Sequence, residues 1–198
     1  MSKGQLTRQA VLDEAARVAS RVGLGGLTIG SLATSTQLSK SGLFAHFQSK
    51  ESLQLQLLDH ARARFVDLVI RPALAAPRGE PRVRELFRRW LGWDADALPG
   101  GCLFIAASAE LDDQPGPVRD QLAQSQRDWM ETIAQVFRTG IGEGHFRPDA
   151  DPEQFAYDLH GVMLAFHHAS RLLGDPEAAA RATRAFEALL ASARRPAS

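Results

Sequence analysis

Apolar residues in this chain recur every three or four positions, segment after segment, and nowhere do they alternate with the period of two that a half-buried strand needs. That regularity confines the chain to helices. Val11, Ala15, Val18 and Val22 step by 4, 3 and 4 and predict the inward face of a first helix, which Gly23, Gly25 and Gly26 end. Thr28 is a good N-cap for a short second helix with Ile29, Leu32 and Ala33 inward. Ser39 caps a short third, with Leu38, Leu43 and Phe47 turned toward the first two. Ser49 caps a long fourth, whose positions Leu53, Leu57, Ala61, Phe65 and Leu68 carry it to about Pro72.

The stretch PALAAPRGEP (72–81) breaks that helix, and a fifth follows over 82–97, stopped by Pro99-Gly100-Gly101. A short apolar helix over 102–111 ends in the turn DDQPGP. Val118, Leu122, Trp129, Ile133 and Phe137 mark a long helix that dissolves at Gly140, Gly142 and Gly144. Asp151-Pro152-Glu153-Gln154 has the pattern of a capping box with Pro at the first helical position. Phe155, Leu159, Val162, Phe166, Ala169 and Leu173 form its apolar stripe; Gly174 closes it and Asp175-Pro176 opens the last helix, striped by Ala182, Phe186, Leu189 and Ala193. The pattern predicts an all-α chain of about nine helices. Residues 1–48 read as a three-helix unit, joined by the long helix to a helical body over 49–198.

Composition narrows the function classes. No run of about 18 apolar residues occurs, so no membrane span is expected, and the polar start MSKGQLTRQ lacks the apolar core of a signal peptide, which points to the cytoplasm. Cys102 is the only cysteine and reads as a small buried thiol. Net charge is zero, yet residues 1–50 carry +4 and the remainder −4. A basic head on an acidic body favours an anionic partner at the head. No nucleophile elbow, phosphate loop or paired-carboxylate motif is present. Glu110, Asp112 and Asp113 border a turn, where acids are solvated. His160 and His167 share a face, but seven residues put them roughly 10 Å apart along a helix, too far to bind one ion together. Neither an enzyme, a metal site nor a cofactor is expected.

The helices over 28–35 and 39–47, joined by a tight turn and preceded by another helix, match a helix-turn-helix, whose second helix enters the major groove of DNA. With Leu38, Leu43 and Phe47 inward, the outward set is Ser39, Lys40, Ser41, Gly42, Phe44 and Ala45. The small residues allow close approach to DNA, and Lys40 reaches a guanine edge or a phosphate. Thr28 and Ser49 stand at helix N-termini, which attract phosphate, and Lys50 adds a cation at an end where the helix dipole disfavours one. The bland alternatives are a bundle with a basic edge, a surface histidine at His46 and a core side chain at Phe44.

Thr28-Ile29, Leu32-Ala33, Ser39-Lys40, Leu43-Phe44, His46-Phe47 and Ser49-Lys50-Glu51-Ser52-Leu53 together resemble the TetR family of bacterial transcriptional regulators, over roughly residues 7–55. The resemblance implies base-edge or groove contact by Lys40, Ser41 and Gly42, beside Ser39, and phosphate contact by Thr28, Phe44, His46 and Lys50. Two positions depart from the family pattern. Gln37 stands where glycine is common in the turn, and Phe44 where tyrosine is common, so Phe44 cannot donate to a phosphate and packs on sugar or a thymine methyl instead.

The resemblance also implies a homodimeric repressor on a palindromic operator in double-stranded DNA, released by a small apolar effector. Its ligand pocket would draw on Trp90, Phe104, Glu110, Gln126, Trp129, His160, Phe166 and His167. Its dimer contact would draw on Phe155, Leu159, Val162, Phe166, Leu173, Phe186 and Leu189, a seam that serves equally well as internal core. Two other readings stand beside it: a helical ligand-binding or interaction protein without DNA recognition, and a helical enzyme using Glu110 with His160 and His167.

Overall fold

The computed structural model describes residues 3–195, with side chains from Arg8 onward. The outermost residues of the anticipated units, 1–2 and 196–198, and the Lys3 side chain lie outside the described residues. Nine helices run through the described chain, counting one interrupted helix once: α1 (Lys3–Gly26), α2 (Ile29–Thr36), α3 (Lys40–Phe47), α4 (Lys50–Phe65, continuing below), α5 (Glu80–Asp96), α6 (Leu103–Leu111), α7 (Pro117–Gly142), α8 (Pro152–Arg171) and α9 (Ala178–Ala193). Among the described residues there is no strand, only one isolated bridge between Phe146 and Arg194. No described helix is long and apolar enough to cross a membrane.

Contacts divide the chain differently from the 48/49 boundary read in the sequence. One unit takes the chain up to Arg64 together with Asp96–Ser125; the other takes Phe65–Ala95 and everything from Gln126 on. The cause is α6, which packs on α1 and so joins the N-terminal helices across a gap in sequence.

In the first unit, the buried face of α1 is Val11, Leu12, Ala15, Ala16 and Ala19, while Val22 is 54% exposed. The expected stripe holds at Val11 and Ala15 but not at Val18, which is half-buried, or Val22; Ala16 and Ala19 take their place, and their small side chains let neighbouring helices approach. Leu32 from α2, Leu43 and Phe47 from α3 and Leu53, Leu57 and Leu58 from α4 are fully buried with them. Leu38 is instead 37% exposed, because it lies in the turn before α3.

α4 carries the second difference. Its buried stripe is Leu53, Leu57, Ala61 and Phe65, with Leu58 beside it, but the next buried residue is Val69; Leu68 is 48% exposed. Four-residue steps drift by about 40° each on a helix of 3.6 residues per turn. A π-helical turn over Val66–Ile70 absorbs that drift by inserting one residue, and the chain then continues as Arg71–Ala75 past Pro72. Pro72 falls in the first turn of that last segment, where a residue without an N–H is tolerated.

In the second unit, Phe137 stacks on both Phe146 and Phe155, with ring centroids 4.3 and 4.0 Å apart. Phe87 stacks on Phe186 at 4.2 Å, joining α5 to α9. At the rim of the same joint, Glu80 accepts from Arg84 and Arg194, and Arg84 reaches on to Glu187. The start of α8 is capped as its sequence predicts: Asp151 Oδ1 accepts from the amides of Glu153 (2.9 Å) and Gln154 (3.0 Å). Gln154 does not turn back to complete a box but donates forward to Asp158 at 2.8 Å. Gly174 follows α8 with φ +60°, and α9 starts only at Ala178, after Asp175 has capped the Glu177 amide.

Candidate nucleic-acid interface

α2 begins in a reciprocal cap. Thr28 Oγ1 accepts from the Ser31 amide at 3.0 Å, and Ser31 Oγ accepts from the Thr28 amide at 3.0 Å. Three hydroxyls, those of Thr34, Ser35 and Thr36, donate back to carbonyls of the same helix. The turn follows at Gln37, whose φ of +57° and ψ of +26° are left-handed. Ser39 then caps α3, its Oγ accepting from the Gly42 amide at 3.1 Å and lying 3.3 Å from Ser41 Oγ.

Eight residues of α3 bury only Leu43 and Phe47. Those two side chains contribute about 1.5–3 kcal/mol each and hold the helix on its neighbours. Everything else on it faces out: Lys40, Ser41, Gly42, Phe44, Ala45 and His46 are exposed, Phe44 by 57%. Thr28, Ser39 and Lys50, the other residues expected at DNA, are exposed as well. Phe44 is thus a surface aromatic and not core. Gly30, which sequence reading passed over, lies beside Lys40: a Cβ built there would meet Lys40 Cε at an ordinary contact of 3.8 Å, so the lysine stem lies across the start of α2. The Lys50 ammonium donates to the carbonyl of Gly25 at the end of α1.

The residues expected to form a ligand pocket are divided between the two units. In the second unit, Trp90 meets Phe166 edge-on at 6.0 Å, and Trp129 and Trp93 both meet Phe65 edge-on, at 5.0 and 5.3 Å. His167 Nδ1 stands 2.6 Å from Oδ1 of Asp94, a fully buried acid, and Arg171 donates to the Asp94 and Ala95 carbonyls. His160 is largely covered, and burial pushes its pKa below the ordinary histidine value. Gln126 lines a groove between α7 and α8 with Met130, Ala134 and Ala156.

Phe104 and Glu110 belong to the first unit. Phe104 is buried there, and the Glu110 carboxylate is bonded to the amides of Leu24 (2.7 Å) and Gly25. Both of its oxygens are therefore committed to α1. Asp94 was missed in the sequence, although Val83, Phe87, Trp90 and Asp94 step by 4, 3 and 4 along α5 and place it on the apolar face.

Of the residues expected at a dimer contact, Phe155, Leu159, Phe166 and Phe186 are already buried within the single chain. They have little surface left for a partner. Val162 and Leu189 are half-buried, and only Leu173 is well exposed. The exposed side of α8 carries Tyr157, Gly161 and Leu164 instead, with Leu172 just past its end.

A helical chain that presents a Ser/Thr-capped helix pair, the second helix exposed on all but two residues, is a helix-turn-helix DNA-binding regulator. Residues 11–57 match the family model described as bacterial regulatory proteins, tetR family, and residues 79–186 match that of the tetracyclin repressor-like C-terminal domain. The chain belongs to the TetR family. It is 27% identical, over 81% of its length and 80% of the relative's, to the HTH-type transcriptional repressor KstR2 of Mycobacterium tuberculosis. That relative's solved structure, described as a ketosteroid transcriptional regulator, superposes with a TM-score of 0.68 over 96% of each chain. A TetR transcriptional regulator from Chloroflexus aurantiacus is 28% identical over 96% of each chain, with a TM-score of 0.83. One from Cytophaga hutchinsonii, 21% identical, shares the fold with a TM-score of 0.86 over 100% of this chain and 99% of its own.

Proposed function

We propose that this regulator is a cytoplasmic repressor that binds a palindromic operator as a homodimer and leaves it when a small, largely apolar effector binds the body. The observation that carries the DNA end is α3 itself, which turns Ser39–Gly42, Phe44 and His46 to solvent while burying two residues. Lys40, held across the start of α2, is the base-edge or phosphate contact; Thr28, His46 and Lys50 face the backbone; Phe44 packs on sugar or a thymine methyl.

Dimerisation is supported by the outer side of α8. Tyr157, Leu164 and Leu172 are 70%, 41% and 73% exposed, with Gly161 between them, an apolar stripe at helical spacing without cover from the chain itself. This stripe replaces the seam through Phe155, Leu159, Phe166 and Phe186 as the contact between copies. On a palindromic operator the two copies would each present an α3 helix to one of two successive major grooves.

The effector reading rests on the second unit's aromatic interior and two polar atoms in it. Trp93 is 5% exposed, and no protein group among the described residues accepts from its Nε1; the same holds for His160 Nδ1. Groups of that kind address a ligand that is mostly apolar and carries a hydroxyl or carbonyl oxygen. Resemblance to a ketosteroid regulator fits an effector of that chemistry.

The test is selection of bound duplexes from a random DNA pool at two salt concentrations. One enriched palindrome, bound less tightly as salt rises, is expected. Lys40→Ala should then cost roughly 1–3 kcal/mol of operator affinity. If no sequence is enriched at either salt, the DNA assignment of α3 fails.

A further inference from the structure

The last turn of α1 is held by side chains from two other helices, and one of them is out of place on its own helix. Gly23 leaves helical geometry with φ +77° and ψ +169°, so the amides of Leu24 and Gly25 lose their acceptors in α1. Glu110, 86 and 85 residues away, takes both: Oε2 accepts from Leu24 at 2.7 Å and Oε1 from Gly25. A carboxylate in the last turn of α6 faces the negative end of that helix dipole, a placement that α6 alone disfavours. Glycine on the receiving side lets Glu110 come this close, and at Gly23 the backbone itself calls for it. A Cβ on Gly23 would stand 2.7 Å from Glu110 Oε2, and one on Gly25 would run into Oε1.

The carbonyls of the same turn are held from α4. Gln54 Nε2 donates to Leu24 O at 2.8 Å, and Lys50 Nζ donates to Gly25 O. Gly25 is therefore held on both sides of its Cα: Glu110 and Gln54 grip the N–H and the oxygen of the peptide before it, and Lys50 grips the oxygen of the peptide after it. On the near side of α6, the Gly100 amide donates to Ser20 Oγ at 3.1 Å, and a Cβ on Gly100 would strike the Ser20 carbonyl. α6 is thus bonded to α1 at its far end, and the loop that leads into it is bonded to α1 as well.

We propose that Glu110 is a positioning residue for DNA binding, acting through the backbone of Gly25 on Lys50. The inference rests on the reading above, in which Lys50 faces a phosphate. An ammonium has three N–H donors; Gly25 takes one, and two remain for phosphate oxygens. Anchoring the tip of a four-carbon stem before DNA arrives removes rotamer freedom that binding would otherwise have to remove. Without Glu110 the turn at Gly25 keeps only the hold of Gln54, and the carbonyl that anchors Lys50 is less firmly fixed.

The sign of the effect separates this role from plain electrostatics. Glu110→Gln removes a negative charge near a DNA-binding head, which on Coulombic grounds alone tightens binding. Positioning requires the opposite. With the duplex selected from the random pool as probe, Glu110→Gln should bind about tenfold more weakly, the scale of one charge-assisted hydrogen bond. Its slope of log affinity against log salt should fall by about one per head, as it should for Lys50→Ala. In a Lys50→Ala background, Glu110→Gln should cost little more. Glu110→Asp keeps the charge but is one methylene short; it should weaken binding like Glu110→Gln, with circular dichroism verifying that each variant is folded. Affinity equal to or above wild type in both Glu110 variants, or losses at Glu110 and Lys50 that simply multiply, would overturn the proposal. A wild-type chain that selects no duplex removes the DNA reading and this role with it.

Discussion

Gln37 is the most direct place to measure what the turn between α2 and α3 costs. Its φ of +57° and ψ of +26° lie in the left-handed region, where an L side chain costs about 1–2 kcal/mol and glycine nothing. Gln37→Gly relieves that strain but gives the unfolded chain more freedom, which takes back about 0.4–1 kcal/mol. The net expectation is a stabilisation of about 0.5–1 kcal/mol by the difference of those two effects. Gln37 is exposed, so little packing is lost, and Gln37→Ala, which keeps the Cβ, should change stability by only a few tenths. Urea unfolding followed by far-ultraviolet circular dichroism at constant pH reads both variants. Gln48, at the other end of α3 with φ +61° and ψ −43°, lies off the left-handed minimum and should gain at least as much from glycine. Gln37→Gly proving destabilising, or Gln37→Ala matching it, would refute backbone strain as the property of this turn.

Three further outcomes follow from the second unit. Hydrogen bonds from Arg194 first, and from Arg84, hold the Glu80 carboxyl down to about 2. A carboxylate depressed on folding stabilises the fold above its ordinary value of 4.5 and loses that contribution as pH falls toward 2. Glu80→Gln should therefore cost about 1–2 kcal/mol at neutral pH, allowing for the exposure of both arginines, and flatten the acid limb of a stability–pH profile. Burial holds His160 below its ordinary 6.5, so its contribution is present above that pH and lost as pH falls through the folded value. A His160→Gln chain should lose less stability on acidification below pH 6.5, and an unchanged profile would contradict the burial account. Leu164→Glu puts a charge in the exposed α8 stripe and should shift sedimentation toward monomer at micromolar concentration; an unaltered dimer would mean that another face pairs the copies.

Much of the chain was legible from local chemistry. The all-α class, the nine helices and the caps at Thr28, Ser39 and Asp151 follow from periods of three to four residues and from which side chains accept a backbone amide. The buried pair Leu43 and Phe47 and the exposure of Lys40, Ser41 and Gly42 follow in the same way, because a short helix with few apolar residues has one choice of inward face. Where a helix offered two choices, the pattern failed. Alanines carried the packing of α1 that was assigned to Val22, a π-turn moved the buried face of α4 from Leu68 to Val69, and the α8 seam went into the chain's own interior. Glu110 and Asp94 found partners at separations that no local pattern encodes, α1 for the one and His167 for the other. Periodicity reports which residues share one side of a single helix. Only packing decides what that side meets, because burial and hydrogen bonding are settled between elements distant in sequence.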